Sequence, residues 1–192
     1  MMWFRKYLKR AVASALVSAA LCAVVPVIPA HAVDAARIDD LFARLAQANG
    51  GEASRIEDEI ALEFARSGSD AMDLLLERGR DALAAGDFKA AIGHFTALID
   101  HAPDFAEGYN GRATAYYMAG LYGPSMQDIG TVLTFEPRHF GALSGLALIL
   151  EQTGAEPKAL EVLYTIRTLH PHMGGLSERI ARLELKLEGM TL

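Results

Sequence analysis

Five histidines lie beyond residue 32, and two of them, His170 and His172, flank Pro171. Imidazoles so close together could share a metal ion, but a protein zinc site needs three or four ligands. The chain offers no third ligand near this pair, no His-Glu-x-x-His helix and no paired cysteines. His170 and His172 are therefore expected in a turn with their rings facing water, and His94, beside Phe95, at the polar margin of a helix. Adjacent carboxylates occur at Asp39-Asp40 and at Glu57-Asp58-Glu59. Acid–base catalysis needs carboxyl groups whose environments differ, normally inside a cleft. These lie on short, highly charged stretches and read as solvated helix faces. Gly50-Gly51 and Gly174-Gly175 read as turns, and there is no glycine-rich phosphate loop, nucleophile elbow or triad spacing. The residue types point to binding rather than catalysis, with no cofactor and no metal.

The elements that would position a binding surface are written in a period. Pro103, Pro137 and Pro171 stand 34 residues apart, and Gly86, Gly120 and Gly154 keep the same interval. Units numbered from Met72, Ala106 and Phe140 place Leu75, Tyr109 and Leu143 at the fourth position. Gly79, Ala113 and Ala147 stand at the eighth, and Ala82, Tyr116 and Leu150 at the eleventh. These spacings of three and four make one stripe along a first helix. Ala91, Ser125 and Ala159, then Phe95, Ile129 and Leu163, then Leu98, Val132 and Ile166 make the matching stripe on a second. Small residues at the eighth and twentieth positions let the two helices approach. Glycine at the fifteenth supplies a left-handed C-terminal turn, and proline at the thirty-second stops the second helix. Asp87 and Asp70 are candidate N-caps, and Pro124 and Pro157 suit a first helical turn.

A 34-residue helix–turn–helix with this punctuation resembles the tetratricopeptide repeat family over residues 72–173. The resemblance implies an all-α fold, an α-solenoid of three helix–turn–helix units. Arg78 and Arg112 at the usually apolar seventh position, and Glu156 in place of an aromatic at the seventeenth, depart from the family pattern and are expected to weaken it. In such proteins the partner is contacted mainly from positions two, five, nine and twelve of each unit. Carried over, these are Asp73, Leu76, Arg80 and Leu83; then Glu107, Asn110, Thr114 and Tyr117; then Gly141, Ser144, Leu148 and Glu151. Asn110 could donate to and accept from a peptide backbone, and Tyr117 offers a flat face with a polar tip. The family's clamp for C-terminal carboxylates needs lysine and asparagine at positions five and nine of the first unit. Leu76 and Arg80 stand there, so that mode of recognition is not expected.

The flanks complete the division of the chain. Residues 38–48 and 53–66 read as two helices around Asn49-Gly50-Gly51, so 33–70 is expected to be a degenerate helical pair covering the first unit. Units fill 71–173. Residues 174–192 hold an amphipathic capping helix, apolar at Leu176, Ile180, Leu183 and Leu187. Residues 1–32 read as a signal peptide: Arg5, Lys6, Lys9 and Arg10 precede an apolar run over 11–28, and Ala30-His31-Ala32 offers a cleavage site after Ala32. The alternative is an uncleaved anchor, since the run approaches the length that spans a bilayer. The reading places the protein in the periplasm. Four of the 18 basic residues and none of the 24 acidic ones lie in 1–32, so the remainder carries 14 against 24, a net −10. That sign repels phosphate backbones, so nucleic acid is not expected as a partner. Cys22, the one cysteine, also falls in the signal. The expected function is an adaptor that holds a peptide segment or envelope protein in a concave groove. The alternative is a membrane-tethered or self-associating assembly factor; a membrane contact is expected only if 1–32 is retained, and the oligomeric state is left open.

Overall fold

The structure, a computed structural model, describes residues 35–190. The expected signal peptide and its expected cleavage site lie outside the described residues. Among the described residues there are nine helices and no strand. They are α1 (Ala35–Leu45), α2 (Gly50–Phe64), α3 (Asp70–Ala84), α4 (Phe88–His101), α5 (Ala106–Met118), α6 (Tyr122–Phe135), α7 (Phe140–Gln152), α8 (Glu156–Leu169) and α9 (Leu176–Met190). None of them is long and apolar enough to cross a membrane. Helices α3/α4, α5/α6 and α7/α8 are the three expected units of an all-α solenoid. The first helices of successive units pack on one another, α3 on α5 and α5 on α7, more closely than the second helices do. That asymmetry curves the stack with the first helices on its inner wall.

Each glycine at the fifteenth position takes a left-handed backbone, with φ of +75° at Gly86 and +76° at Gly120 and Gly154. The following residue closes the turn: the N–H groups of Asp87, Leu121 and Ala155 donate to Ala82 O, Tyr116 O and Leu150 O at 2.8–2.9 Å. This is the six-to-one bond of a Schellman turn, which satisfies a helix-end carbonyl. Asp87 caps α4 as expected, accepting from the Ala90 N–H at 2.9 Å. Asp70 does not cap α3. Ser69 holds the N-cap position, and Asp70 begins the helix, where a carboxylate complements the macrodipole.

The stripes bury as the period requires. Ala91, Phe95, Leu98, Val132, Ala147, Ala159, Leu163 and Ile166 are all fully buried. Phe95 shows why small residues are needed in the first helices. A Cβ at Gly79, or at Gly111 in the next unit, would lie well inside 3.0 Å of its ring. The ring of α4 is thus seated between two helix backbones, α3 and α5.

Two of the three departures from the pattern, Arg112 and Glu156, make polar ties to neighbouring helices. Arg112 reaches across to Asp128 on α6 with two parallel bonds, Nε–Oδ2 at 2.7 Å and Nη2–Oδ1 at 2.8 Å, and donates to Thr96 Oγ1 on α4 at 3.3 Å. Its guanidinium also lies over the rings of Tyr109 and Tyr116. Glu156, nearly buried, accepts from Lys186 of α9, so the missing aromatic becomes a polar tie to the capping helix. Leu176, Ile180 and Leu183 of α9 close the core of the third unit.

The N-terminal pair does not cover the first unit. Its own apolar cluster, which includes Ile38, Leu41, Leu45, Ile56 and Ile60, reaches the array at Phe140, the first residue of α7. Phe42 meets Phe140 edge-on at 6.4 Å, and Phe64 stacks on His139 at 4.7 Å and 13°. Arg138 donates to Asp39 at 2.7 Å and lies over the Phe42 ring. His170 bonds Glu57 of α2. The pair therefore lies along the edge that carries the inter-unit turns, against the second and third units. His170 is correspondingly fully buried, contrary to its expected exposure, whereas His172 is exposed.

Candidate functional site

Expected groove residues divide between those committed to the chain itself and those left facing the inner wall. Leu76 is buried in the first unit's core, the reverse of its expected role, because it packs with Phe95, Phe105 and Ala115. Leu83 leans on the same cluster. Asp73 is exposed but accepts from the Ser67 N–H at 3.2 Å and from the Ser67 hydroxyl, fixing the turn into α3. Glu151 accepts from Arg179 of α9 at 2.6 Å. Those side chains hold the fold.

Glu107 is also buried, and it organises the wall. Arg80 donates to its Oε2 at 3.2 Å, His139 Nε2 lies 3.0 Å from its Oε1, and the Asn110 amide approaches both oxygens at 3.4 Å. The Ala142 N–H donates to His139 Nδ1 at 3.1 Å, so the ring proton sits on Nε2 and points at Glu107. One carboxylate thus links α3, α5 and the cap of α7. Burial works to raise its pKa, but the His139 hydrogen bond, the imidazole charge in acid, the Arg80 guanidinium and Asn110 outweigh that effect. The carboxyl is held below its ordinary 4.5. A depressed carboxyl stabilises the fold above its unfolded value and loses that contribution as pH falls through the folded one. Glu107→Gln is accordingly expected to cost about 1–2 kcal/mol at pH 7. The gap between variant and parent should close on acidification well below pH 4.5, which urea unfolding at pH 7 and pH 3 measures.

Beyond this network the wall opens. A cavity of about 280 Å³ lies between α5 and α7, lined by Asn110, Thr114, Tyr117, Gly141, Ser144 and Leu148 of the expected set. Its floor is Ala113, Ser125, Ile129, Ala142 and Ile149, and Met118 and Gly145 complete its sides. The space exists because the facing surfaces of α5 and α7 carry small residues. The two helices are bridged at one end, where Gln152 Nε2 donates to the Tyr117 hydroxyl at 2.8 Å. Tyr117 keeps its own O–H free to donate outward, and the Asn110 carbonyl oxygen can accept. Met118 and Leu148 stand exposed beside the opening. Sequence reasoning placed six of the wall residues but missed Met118, Gly145 and the floor. Their position in the period is ordinary; the cavity arises from packing between units.

His139 was missed as an organiser as well. Its place at the end of a unit gave only a turn signal, and its partners come from α2 and α5. Among the described residues no three His, Cys, Asp or Glu side chains converge in a way that could hold a metal ion.

Comparisons with known proteins converge on one family. The tetratricopeptide repeat family description matches residues 76–123. A TPR repeat-containing protein of Rhizobium etli is 38% identical over 154 residues, which is 80% of this chain and 76% of that protein. The small glutamine-rich tetratricopeptide repeat-containing protein 2 of Saccharomyces cerevisiae is 28% identical over 110 residues, 57% of this chain and 32% of that one. Among solved structures, the first TPR of Spaghetti bound to an HSP90 peptide superposes with a TM-score of 0.58 at 17% identity, covering 61% of this chain and 95% of that one. The TPR2B domain of yeast Sti1, in complex with an Hsp70 peptide, gives 0.56 at 22% identity over 64% of this chain and 99% of that one. The period, the repeated glycine turns and the curved stack of helix pairs have the same explanation as these likenesses: the chain belongs to the tetratricopeptide repeat proteins.

Proposed function

We propose that the protein is an exported adaptor that holds an extended peptide segment of a partner against the α5–α7 wall. The observation that carries this reading is the cavity, which gathers six of the expected contact residues, the exposed Leu148 among them, beside an exposed Met118. A space of this size takes one large aliphatic or aromatic side chain, while Asn110 and the Tyr117 hydroxyl serve the peptide backbone on either side. The wall there carries no unpaired charge on α5 or α7 in the expected set: Glu107 and Glu151 are both engaged by cations. An apolar anchor on a neutral backbone therefore suits it better than an acidic or basic tail. The likeness to peptide-binding TPR domains supports a protein partner, and the N-terminal composition supports export to the periplasm.

Crosslinking and capture from envelope extracts tests the reading. Ser144→Phe together with Tyr117→Ala, which fills the cavity and removes its aromatic side, is expected to reduce partner recovery about thirtyfold, the effect of losing a hot spot worth about 2 kcal/mol. Helicity by circular dichroism should be unchanged. Equal recovery by variant and parent would remove the cavity from consideration. N-terminal sequencing of the native protein checks export, with Val33 as the expected first residue.

A further inference from the structure

The chain contains two asparagines, and each is followed by glycine: Asn49-Gly50 and Asn110-Gly111. In this dipeptide the glycine nitrogen can attack the asparagine side-chain carbonyl, because no Cβ on the second residue crowds the five-membered ring that forms. By sequence the two sites are equivalent. The fold separates them.

Asn49 is the exposed N-cap of α2, with φ −139° and ψ 163°, and its amide makes no capping hydrogen bond. Gly50 opens the helix, where a backbone N–H has no carbonyl one turn earlier to bond. Among the described residues, neither the Asn49 side chain nor the Gly50 N–H has a hydrogen-bond partner. Ring closure needs rotation about the Asn49 Cα–C bond, and the surroundings leave room for it. Apart from the local backbone, no heavy atom lies within 4 Å of where a Cβ would stand at Gly50 or Gly51. Asn110-Gly111, by contrast, sits inside α5. There the helical ladder commits the Gly111 N–H to the Glu107 carbonyl, and the Asn110 amide approaches the Glu107 carboxylate at 3.4 Å. Rotation about the Asn110 Cα–C bond would break α5 where the Phe95 ring presses on Gly111.

We propose that Asn49 is a site of spontaneous deamidation, from which the fold protects Asn110. The Gly50 nitrogen gives its proton to solvent hydroxide and bonds to the Asn49 Cγ. The Cγ–Nδ2 bond breaks and ammonia leaves, which closes a succinimide. Water then opens the ring at either carbonyl. Opening at Cγ gives aspartate; opening at the backbone carbonyl gives isoaspartate, in which the chain runs through the side chain. One water enters, one ammonia leaves, and one negative charge appears at the start of α2. Aspartate there complements the macrodipole and can accept from the N–H groups of the first turn. Isoaspartate lengthens the α1–α2 connection by one backbone atom. The mark accumulates on the N-terminal helical pair as the molecule ages, while the groove residue Asn110 stays intact. The proposal does not rest on the peptide-binding reading, since its test needs no ligand.

Incubation of the full chain at mildly alkaline pH, with and without concentrated urea, followed by peptide mapping with mass spectrometry, reads both sites in one molecule. Conversion at Asn49 in the folded protein is expected to stay within about tenfold of its rate in urea, because neither reacting group must first be released. Conversion at Asn110 is expected to be at least about a hundredfold slower in the folded protein than in urea, because the reaction there requires α5 to open. Asn49→Ser keeps a good N-cap residue and should abolish the more acidic species that ion exchange resolves from aged parent protein. Equal conversion at the two sites of the folded protein overturns the proposal. So does protection of Asn49 as strong as that of Asn110, or an acidic species that persists in Asn49→Ser.

Discussion

Replacing Phe95 by alanine is expected to destabilise the array by about 3–5 kcal/mol, the cost of emptying a fully buried aromatic site. For a domain of this size that lowers the melting temperature by roughly 10 °C. The more informative experiment pairs the ring with the glycines on either side of it. Gly111→Ala gains about 1 kcal/mol of helix propensity in isolation. Here its Cβ meets the Phe95 ring, which cannot retreat because Gly79 holds it from the other helix. Overpacking of this kind costs about 1–3 kcal/mol, so Gly111→Ala should be net destabilising in the parent. In a Phe95→Ala background the clash is gone, and the same substitution should become neutral or stabilising. The reversal of sign is the signature, read from urea unfolding of the four proteins in the cycle. Additive effects would mean that the ring does not set the α3–α5 spacing.

Arg112→Met should be comparably severe, at about 3–5 kcal/mol, because it strands Asp128, which is 5% exposed, without its cation. The loss arises from the orphaned carboxylate rather than from the bond itself. Combining Arg112→Met with Asp128→Leu should therefore recover most of the stability, since a buried ion pair and an apolar pair of similar volume differ little. Arg112→Lys keeps the charge but not the two-pronged geometry, and should fall between parent and Met variant. A cost below about 1 kcal/mol for Arg112→Met would show that Asp128 finds water or another donor when the guanidinium is removed.

These two sites differ in how far they could be read beforehand. Phe95 sits in a periodic stripe, and Gly79 was recognisable as a small eighth-position residue. Gly111 was not, because its closeness to the ring depends on how the second unit stacks on the first. Arg112 looked like a defect in a stripe, since its partner Asp128 is 16 residues away on another helix. At the groove, Asn110, Thr114, Tyr117, Ser144 and Leu148 share the face that their register implied. Leu76, Glu107 and Glu151 occupy the same register yet are consumed by the core, by Arg80 and His139, and by Arg179. Register gives a direction from the helix axis. It does not say what meets the side chain there.

The repeat is legible in the residues alone: the helix pairs, the left-handed glycine turns at Gly86, Gly120 and Gly154, and the residues of each apolar stripe. These follow from interactions within a few residues, where the helical period and the constraints of glycine and proline act directly. Where α1 and α2 rest, which side chains of the inner wall remain available, and the burial of His139 and His170 emerge from long-range packing. Those outcomes rest on contacts such as Asp39 with Arg138 and Glu57 with His170, which join residues about a hundred positions apart. Such pairs leave no local signature, because their geometry exists only once the units have stacked and the N-terminal pair has folded back across them.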